Sequence, residues 1–90
     1  MDERKYDLKD TIKMMNSADY KERFIAEYMQ LNIRMDKLQN MLDRWNRGEL
    51  DFTPSCSYEL LSYQLDAMGA YRDALIKRAE IEDIDLRNYT

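Results

Sequence analysis

The chain has no histidine, one cysteine, one proline and two glycines in 90 residues. Each scarcity excludes something. Without histidine, the usual general base and the usual switch near neutral pH are both missing. Cys56 is the lone thiol, so no disulfide can close within the chain, and one thiol without histidine cannot build a structural zinc site. So few turn-formers cannot serve a β protein, which needs many turns, and long helices are expected. No apolar run approaches the length of a membrane span. The opening residues, Met1 to Lys9, are mostly charged and do not read as a signal peptide. A lone cysteine suits a reducing compartment. The expectation is a cytoplasmic protein with no membrane contact and no cofactor or metal.

Charge and amphipathic residues are plentiful instead. Charged residues make up 36%, and Met 7 and Tyr 7 are heavy for this length. A net charge of −4 and a pI near 4.8 argue against binding long nucleic acid, which calls for a basic stripe. The charge is uneven, however. Residues 20 to 47 carry six basic and four acidic side chains, whereas residues 48 to 90 carry four basic and nine acidic. The first long helix can therefore still hold an anion locally. Ninety residues form a single domain, 1–90, marginal alone unless its helices pack ideally or it oligomerises.

Residues 1–16 read as a short amphipathic helix with Leu8, Ile12 and Met15 on one face. Asn16 to Asp19 is a break, in which Asn16 or Ser17 can cap the next helix. That long helix covers 18–47, ending near Asn46. Phe24, Tyr28, Leu31, Met35, Leu38, Leu42 and Trp45 are spaced alternately four and three apart, an a/d seam held for three heptads. Ile25, Met29, Ile33 and Met41 widen the stripe, which implies more than one packing partner. Gly48 stops the helix. In the loop, 48–56, Leu50 and Phe52 are expected to tuck under the helix end and close on Trp45. Pro54 keeps Thr53 out of the helical region, and Ser55 or Cys56 opens the second long helix, 57–82. Leu61, Leu65, Met68, Arg72, Leu75 and Ala79 repeat the seam. Ala67, Ala70 and Ala74 form a second strip that admits close approach of another helix. The acidic tail, 83–90, is expected to fray unless Ile84 and Leu86 pin it. The fold class is all-α: an antiparallel two-helix hairpin with a short N-terminal helix, assembling into a helical oligomer.

Motifs for catalysis are missing: no Gly-rich phosphate loop, no HExxH, no paired cysteines, no Ser-His pairing. The reading is therefore not an enzyme, with no catalytic residues. Cys56 beside a helix start could be activated, but nothing basic in sequence stands near it, so a small cap-region residue is the plainer reading. Arg72, on an apolar seam, must snorkel, pair or meet an anion. An ion pair with Asp36 or Asp43 across the hairpin is the structural reading, and a phosphate or carboxylate clamp the functional one. Tyr20, Lys21, Arg23, Phe24 and Tyr28 set rings beside positive charge at a helix start, which suits a nucleotide as well as a solvated core edge. Trp45 is expected in the core.

Several runs together resemble a known family. Tyr20-Lys21-Glu22-Arg23-Phe24 opens the first long helix, with Leu38-x-x-Met41-Leu42 further along. Gly48-x-Leu50-Asp51-Phe52-Thr53-Pro54 forms the loop. The second long helix contains Glu59-Leu60-Leu61-x-x-Gln64-Leu65-x-Ala67-Met68-x-Ala70-Tyr71 and closes on Arg78-Ala79-Glu80-Ile81-Glu82. From Tyr20 to Leu86 the chain resembles a family of small phage and prophage proteins of gut bacteria, named after a gene product of a crAss-like phage. Residues 1 to 19 fall outside the resemblance. That family is similar in plan to the helical hairpin of two kinds of phage anti-defence sponge, anti-CBASS and anti-Thoeris. Such sponges assemble, often as hexamers, and hold cyclic nucleotide signals between protomers without cleaving them. The resemblance implies a homo-oligomer in the host bacterial cytoplasm that sequesters a cyclic di- or trinucleotide. It supplies no matched ligand motif. The candidate ligand-binding residues come from the side chains alone: Tyr20, Phe24 and Tyr71 for stacking on bases, with Lys21, Arg23, Arg72 and Arg78 for phosphates. The alternative is a helical protein–protein interaction module with no small ligand.

Overall fold

The computed structural model describes residues 6–89 and contains helices and no strand among them. Residues 1–5 of the expected N-terminal helix lie outside the described part, as does Thr90. A 3₁₀ turn, Leu8–Thr11, runs into a one-turn helix α1, Ile12–Met15. Two long helices come next, α2 over Tyr20–Asn46 and α3 over Tyr58–Glu82, and a 3₁₀ turn at Arg87–Tyr89 closes the chain.

Local chemistry sets the helix ends. α2 begins two residues later than its spacing suggests, because Asp19 is the cap and its carboxylate accepts from Lys21 N at 2.9 Å. Ser17, an expected cap, is turned to other work. Its hydroxyl accepts from Asp19 N at 3.0 Å and donates to Glu22. Ser57 caps α3 by accepting from Leu60 N at 3.1 Å, so neither Ser55 nor Cys56 opens that helix. Cys56 is exposed in the loop, two residues ahead of the first residue of α3.

Both long helices end in the same closure, an N–H reaching back five residues. Glu49 N donates to Arg44 O, and Ile84 N donates to Ala79 O, each at 2.8 Å. The turn needs a left-handed residue in each case. Gly48 supplies one at φ 70°, at no steric cost. Asp83 supplies the other at φ 58°, and there the Cβ is strained and a carboxylate faces the negative end of the helix dipole. Asp83→Gly should therefore stabilise the fold by roughly 0.5–1 kcal/mol. The check is a higher urea midpoint with an unchanged denaturant slope.

α2 is the centre of the structure. α3, α1 and both 3₁₀ turns pack on it. One face carries the main core: Phe24, Tyr28, Leu31 and Met35 from α2 meet Leu75 and Ala79 from α3, and Ile84 joins from beyond it. Side-chain contacts between α2 and α3 run in opposite order along the two helices. Asn46 meets Tyr58, Asn32 meets Arg72, and Tyr20 meets Arg78.

A second face of α2 is buried by the N-terminal segment. Ala26 and Ile33 are fully covered there. On the same helical face Gln30 Nε2 donates to Thr11 Oγ1 at 2.9 Å, and Lys37 Nζ stands 3.8 Å from Asp7. The width of the apolar stripe is thus met at least partly within the chain, with the N-terminal segment as a second packing partner beside α3. The segment also presents a different face from the one its spacing suggests. Thr11 is buried, while Ile12 and Met15 are exposed. A 3₁₀ turn has three residues per turn, which shifts the phase of the helix it leads into. Thr11 keeps its hydroxyl satisfied by donating to Leu8 O at 2.7 Å.

Two loop and tail expectations change as well. The tail packs rather than fraying: Ile84 is buried in the core, Leu86 and Tyr89 lie against it, and Tyr6 donates a hydrogen bond to Tyr89 O. Phe52 does not tuck in and is 54% exposed. Tyr58 takes its place, standing edge-on to Trp45 with ring centres 5.4 Å apart.

Candidate ligand-binding site

Five of the seven candidate residues meet where the start of α2 lies beside the end of α3. Residues 20, 23 and 24 come to one side of α2 through its three-and-four spacing. From α3, Arg78 reaches across and donates to Tyr20 Oη at 2.8 Å, while its guanidinium lies 4.9 Å from the centre of the Phe24 ring. The Arg23 guanidinium stands 6.0 Å from the Tyr20 ring centre, and the Tyr20 and Phe24 rings are 6.2 Å apart. Lys21 Nζ donates to Asp83 O at 3.3 Å, tying the first turn of α2 to the residue that ends α3.

The cluster holds three cations, with Asp19, Glu22, Glu82 and Asp83 beside them in sequence, and is largely open to solvent. Arg23 also donates to Ser17 O at 2.8 Å, which holds its head beside Tyr20. Arg78 has an acid close by, Glu82, but at 3.4 Å the contact is long. Partial desolvation works against the Arg78 charge, yet hydrogen bonding and charge from Tyr20, and then from Glu82, hold its pKa above the ordinary value. The arrangement presents one exposed ring, that of Tyr20, and three cations around it. Phosphate oxygens prefer such planar, multidentate donors, and a base can stack on the ring.

Phe24 does not offer a stacking face. It is only 3% exposed, and Arg78 covers the side that remains. It is a seam residue first, and burial of its ring takes precedence. Arg72 sits apart, on the seam between α2 and α3, where it donates to Asn32 Oδ1 at 3.5 Å. Asn32 is itself buried, and its Nδ2 meets no acceptor among the described residues. Tyr71 is exposed on the same flank of α3 as Arg78, two turns before it. Elsewhere, an open pocket of about 200 Å³ at the loop end is lined by Trp45, Gly48, Leu50, Phe52, Thr53 and Pro54. No charged side chain lines it, so it does not suit an anion.

Two participants escape a reading by residue type. Glu82 is legible as a partner of Arg78, four residues away on the same helix. Asn32 is not, since a neutral amide beside Leu31 gives no sign that it will face Arg72 forty positions on.

A protein-family model described as Sequestin matches residues 18–81. The chain belongs to the Sequestin family. Comparison with curated proteins and with solved structures gives no match. The Sequestin match opens just before the cap of α2 and closes one residue short of the end of α3. It leaves out the N-terminal segment and the C-terminal turn, and it contains all seven candidate residues. The family name points to sequestration, a binding role rather than a catalytic one. Among the described residues no helix is long and apolar enough to cross a membrane, and no cluster of acidic or sulfur side chains could hold a metal ion.

Proposed function

We propose that this Sequestin protein is a phage anti-defence sponge that binds a cyclic di- or trinucleotide immune messenger in the bacterial cytoplasm and holds it uncleaved. The observation that carries this reading is the Arg78 guanidinium bridging Tyr20 and Phe24, with Arg23 and Lys21 beside it. Its partners in the free protein are weaker than a phosphate would be. Arg78 donates to a phenol oxygen and at 3.4 Å to Glu82, and Lys21 holds only a backbone carbonyl, so an anionic oxygen at bonding distance gains charge-assisted hydrogen bonds as it displaces the longer contacts. Tyr20, 45% exposed, then supplies the platform for a base. Rings and cations without a positioned nucleophile and base suit retention rather than turnover.

In this reading the antiparallel hairpin of α2 and α3 is the repeating unit of a homo-oligomer, and exposed Tyr71 extends the contacts where protomers meet, while Arg72 stays on the seam between α2 and α3. A second reading, a protein–protein module without small ligand, draws on the exposed apolar residues of α3, among them Leu60, Tyr63 and Ile81.

Isothermal titration of the full chain with a panel of cyclic di- and trinucleotides separates the two. The sponge reading expects saturable binding by at least one of them, with the nucleotide recovered chemically unchanged. No heat at concentrations well above micromolar would leave the module reading in its place. Recovery of a linear product would point to an enzyme.

A further inference from the structure

The outer face of α3 has its own heptad register, opposite to the one that packs on α2. Leu60, Ala67, Ala74 and Ile81 recur every seven residues and Tyr63 and Ala70 fall three places after the first two, six apolar positions in a register whose next place holds Lys77. All six are exposed, Tyr63 at 71% and Ile81 at 85%. The seam that packs on α2 lies on the other side of the helix, at Leu65, Met68, Leu75 and Ala79. An a/d seam that is large at its ends and small in its middle lets another helix approach closely along three turns.

The flanks of this seam identify the occupant. One flank is acidic throughout: Glu59, Asp66, Asp73 and Glu80. The other flank carries hydrogen-bond donors, Gln64, Tyr71 and Arg78. In a parallel pair, each flanking residue faces the one five positions on in its neighbour. Glu59 of one copy then meets Gln64 of the other, Asp66 meets Tyr71, and Asp73 meets Arg78, so an acceptor stands opposite a donor every time. In an antiparallel pair the acidic flanks would face each other, Asp66 against Asp73 and Glu59 against Glu80, and like charges disfavour that arrangement.

We propose that α3 pairs in parallel with α3 of a second copy of this chain through this outer seam. The pairing does not depend on the nucleotide reading. Where both hold, the two Tyr20–Arg78 clusters stand at the same end of the pair, one on each side of its axis.

Cysteine cross-linking at the two ends of the seam tests the pairing and its direction. In a Cys56→Ser background, Leu60→Cys and Ile81→Cys are prepared as separate full-length proteins. Both positions are exposed, and circular dichroism checks that the helices are retained. A parallel pair sets each new thiol beside its own copy, so both proteins should form disulfide-linked dimers under mild oxidation. In an antiparallel pair identical positions lie about 31 Å apart at ~1.5 Å per residue, far beyond disulfide reach. Cross-linking only when the two proteins are mixed would overturn the proposal, as would no cross-linking of either. Ala70→Glu places a charge mid-seam and should convert the unmodified dimer to monomer by light scattering at tens of micromolar. A monomeric mass before that substitution, or a dimeric mass after it, would contradict the proposal too.

Discussion

Arg78→Ala should weaken binding of a cyclic dinucleotide on the order of 10- to 100-fold while leaving the melting temperature nearly unchanged. The two halves of that expectation have separate causes. In the free protein Arg78 donates to Tyr20, covers the Phe24 ring and pairs with Glu82 at 3.4 Å. These are solvent-exposed contacts, and such pairs contribute little to folding. In the bound state the same guanidinium would contact an anionic oxygen. A hydrogen bond to a charged group is worth about 1.5–3 kcal/mol, which corresponds to the stated loss. Arg78→Lys keeps the charge but loses the planar fork and should recover only part of the affinity. Titration calorimetry on both variants, with thermal melts alongside, reads the two effects independently. An unchanged affinity in Arg78→Ala would remove this cluster from the site.

Leu75→Ala should have the opposite profile, a large loss of stability from a buried residue that offers no group to a ligand. Leu75 is 1% exposed and lies in the core cluster where α3 meets Phe24, Tyr28, Leu31 and Met35. Truncation removes apolar contacts and leaves a cavity that a short helical structure can only partly collapse around. Comparable buried leucines cost roughly 3–5 kcal/mol. In a chain this small each kcal/mol shifts the midpoint by about 4–8 °C, so the melting temperature should fall by some tens of degrees, or the chain should fail to fold at 37 °C. A fall of only a few degrees would mean that α3 is held on α2 by something other than this core, for instance by contacts between copies. Calorimetric melts at two protein concentrations would expose that case, since assembly makes the midpoint depend on concentration.

Much of the helical layout is readable from spacing, because burial of an amphipathic stripe decides it. The four-and-three pattern from Phe24 to Trp45 marks a face that is largely covered, and Leu75 and Ala79 mark the facing one. What spacing conceals is the choice among near-equivalent local solutions. Asn16, Ser17 and Asp19 can each cap a helix. Asp19 does so because Ser17 is engaged with Glu22 and with Asp19's own N–H. The acidic composition of residues 83–89 suggests disorder, but Ile84 is carried into the core by the closure at the end of α3. A composition averages over residues, and one buried isoleucine in the right turn outweighs it.

The candidate site was legible to a similar extent. Aromatic and basic residue types at the start of α2 stand out as a local run. Arg78 is a candidate only by type, and its meeting with Tyr20 is a consequence of helix lengths and of how α2 and α3 align. Phe24 shows the limit of reading by type. It satisfies both a stacking role and a seam role on paper, and the seam claims it because its ring is buried between α2 and α3. The apolar width of α2 gave a true signal with an incomplete interpretation. A second partner for that face is the N-terminal segment of the same chain, which packs on α2. The case for assembly rests accordingly on the outer face of α3.

Retention of an intact cyclic nucleotide by this Sequestin protein is tested directly by a native mass measurement. The full chain would be incubated with an equimolar mixture of cyclic di- and trinucleotides, freed of unbound ligand by gel filtration and sprayed under non-denaturing conditions. The account expects an assembly of an even number of chains carrying whole nucleotides, each released at its unaltered mass on denaturation. Chains that emerge bare of nucleotide after incubation with every member of the mixture would contradict it.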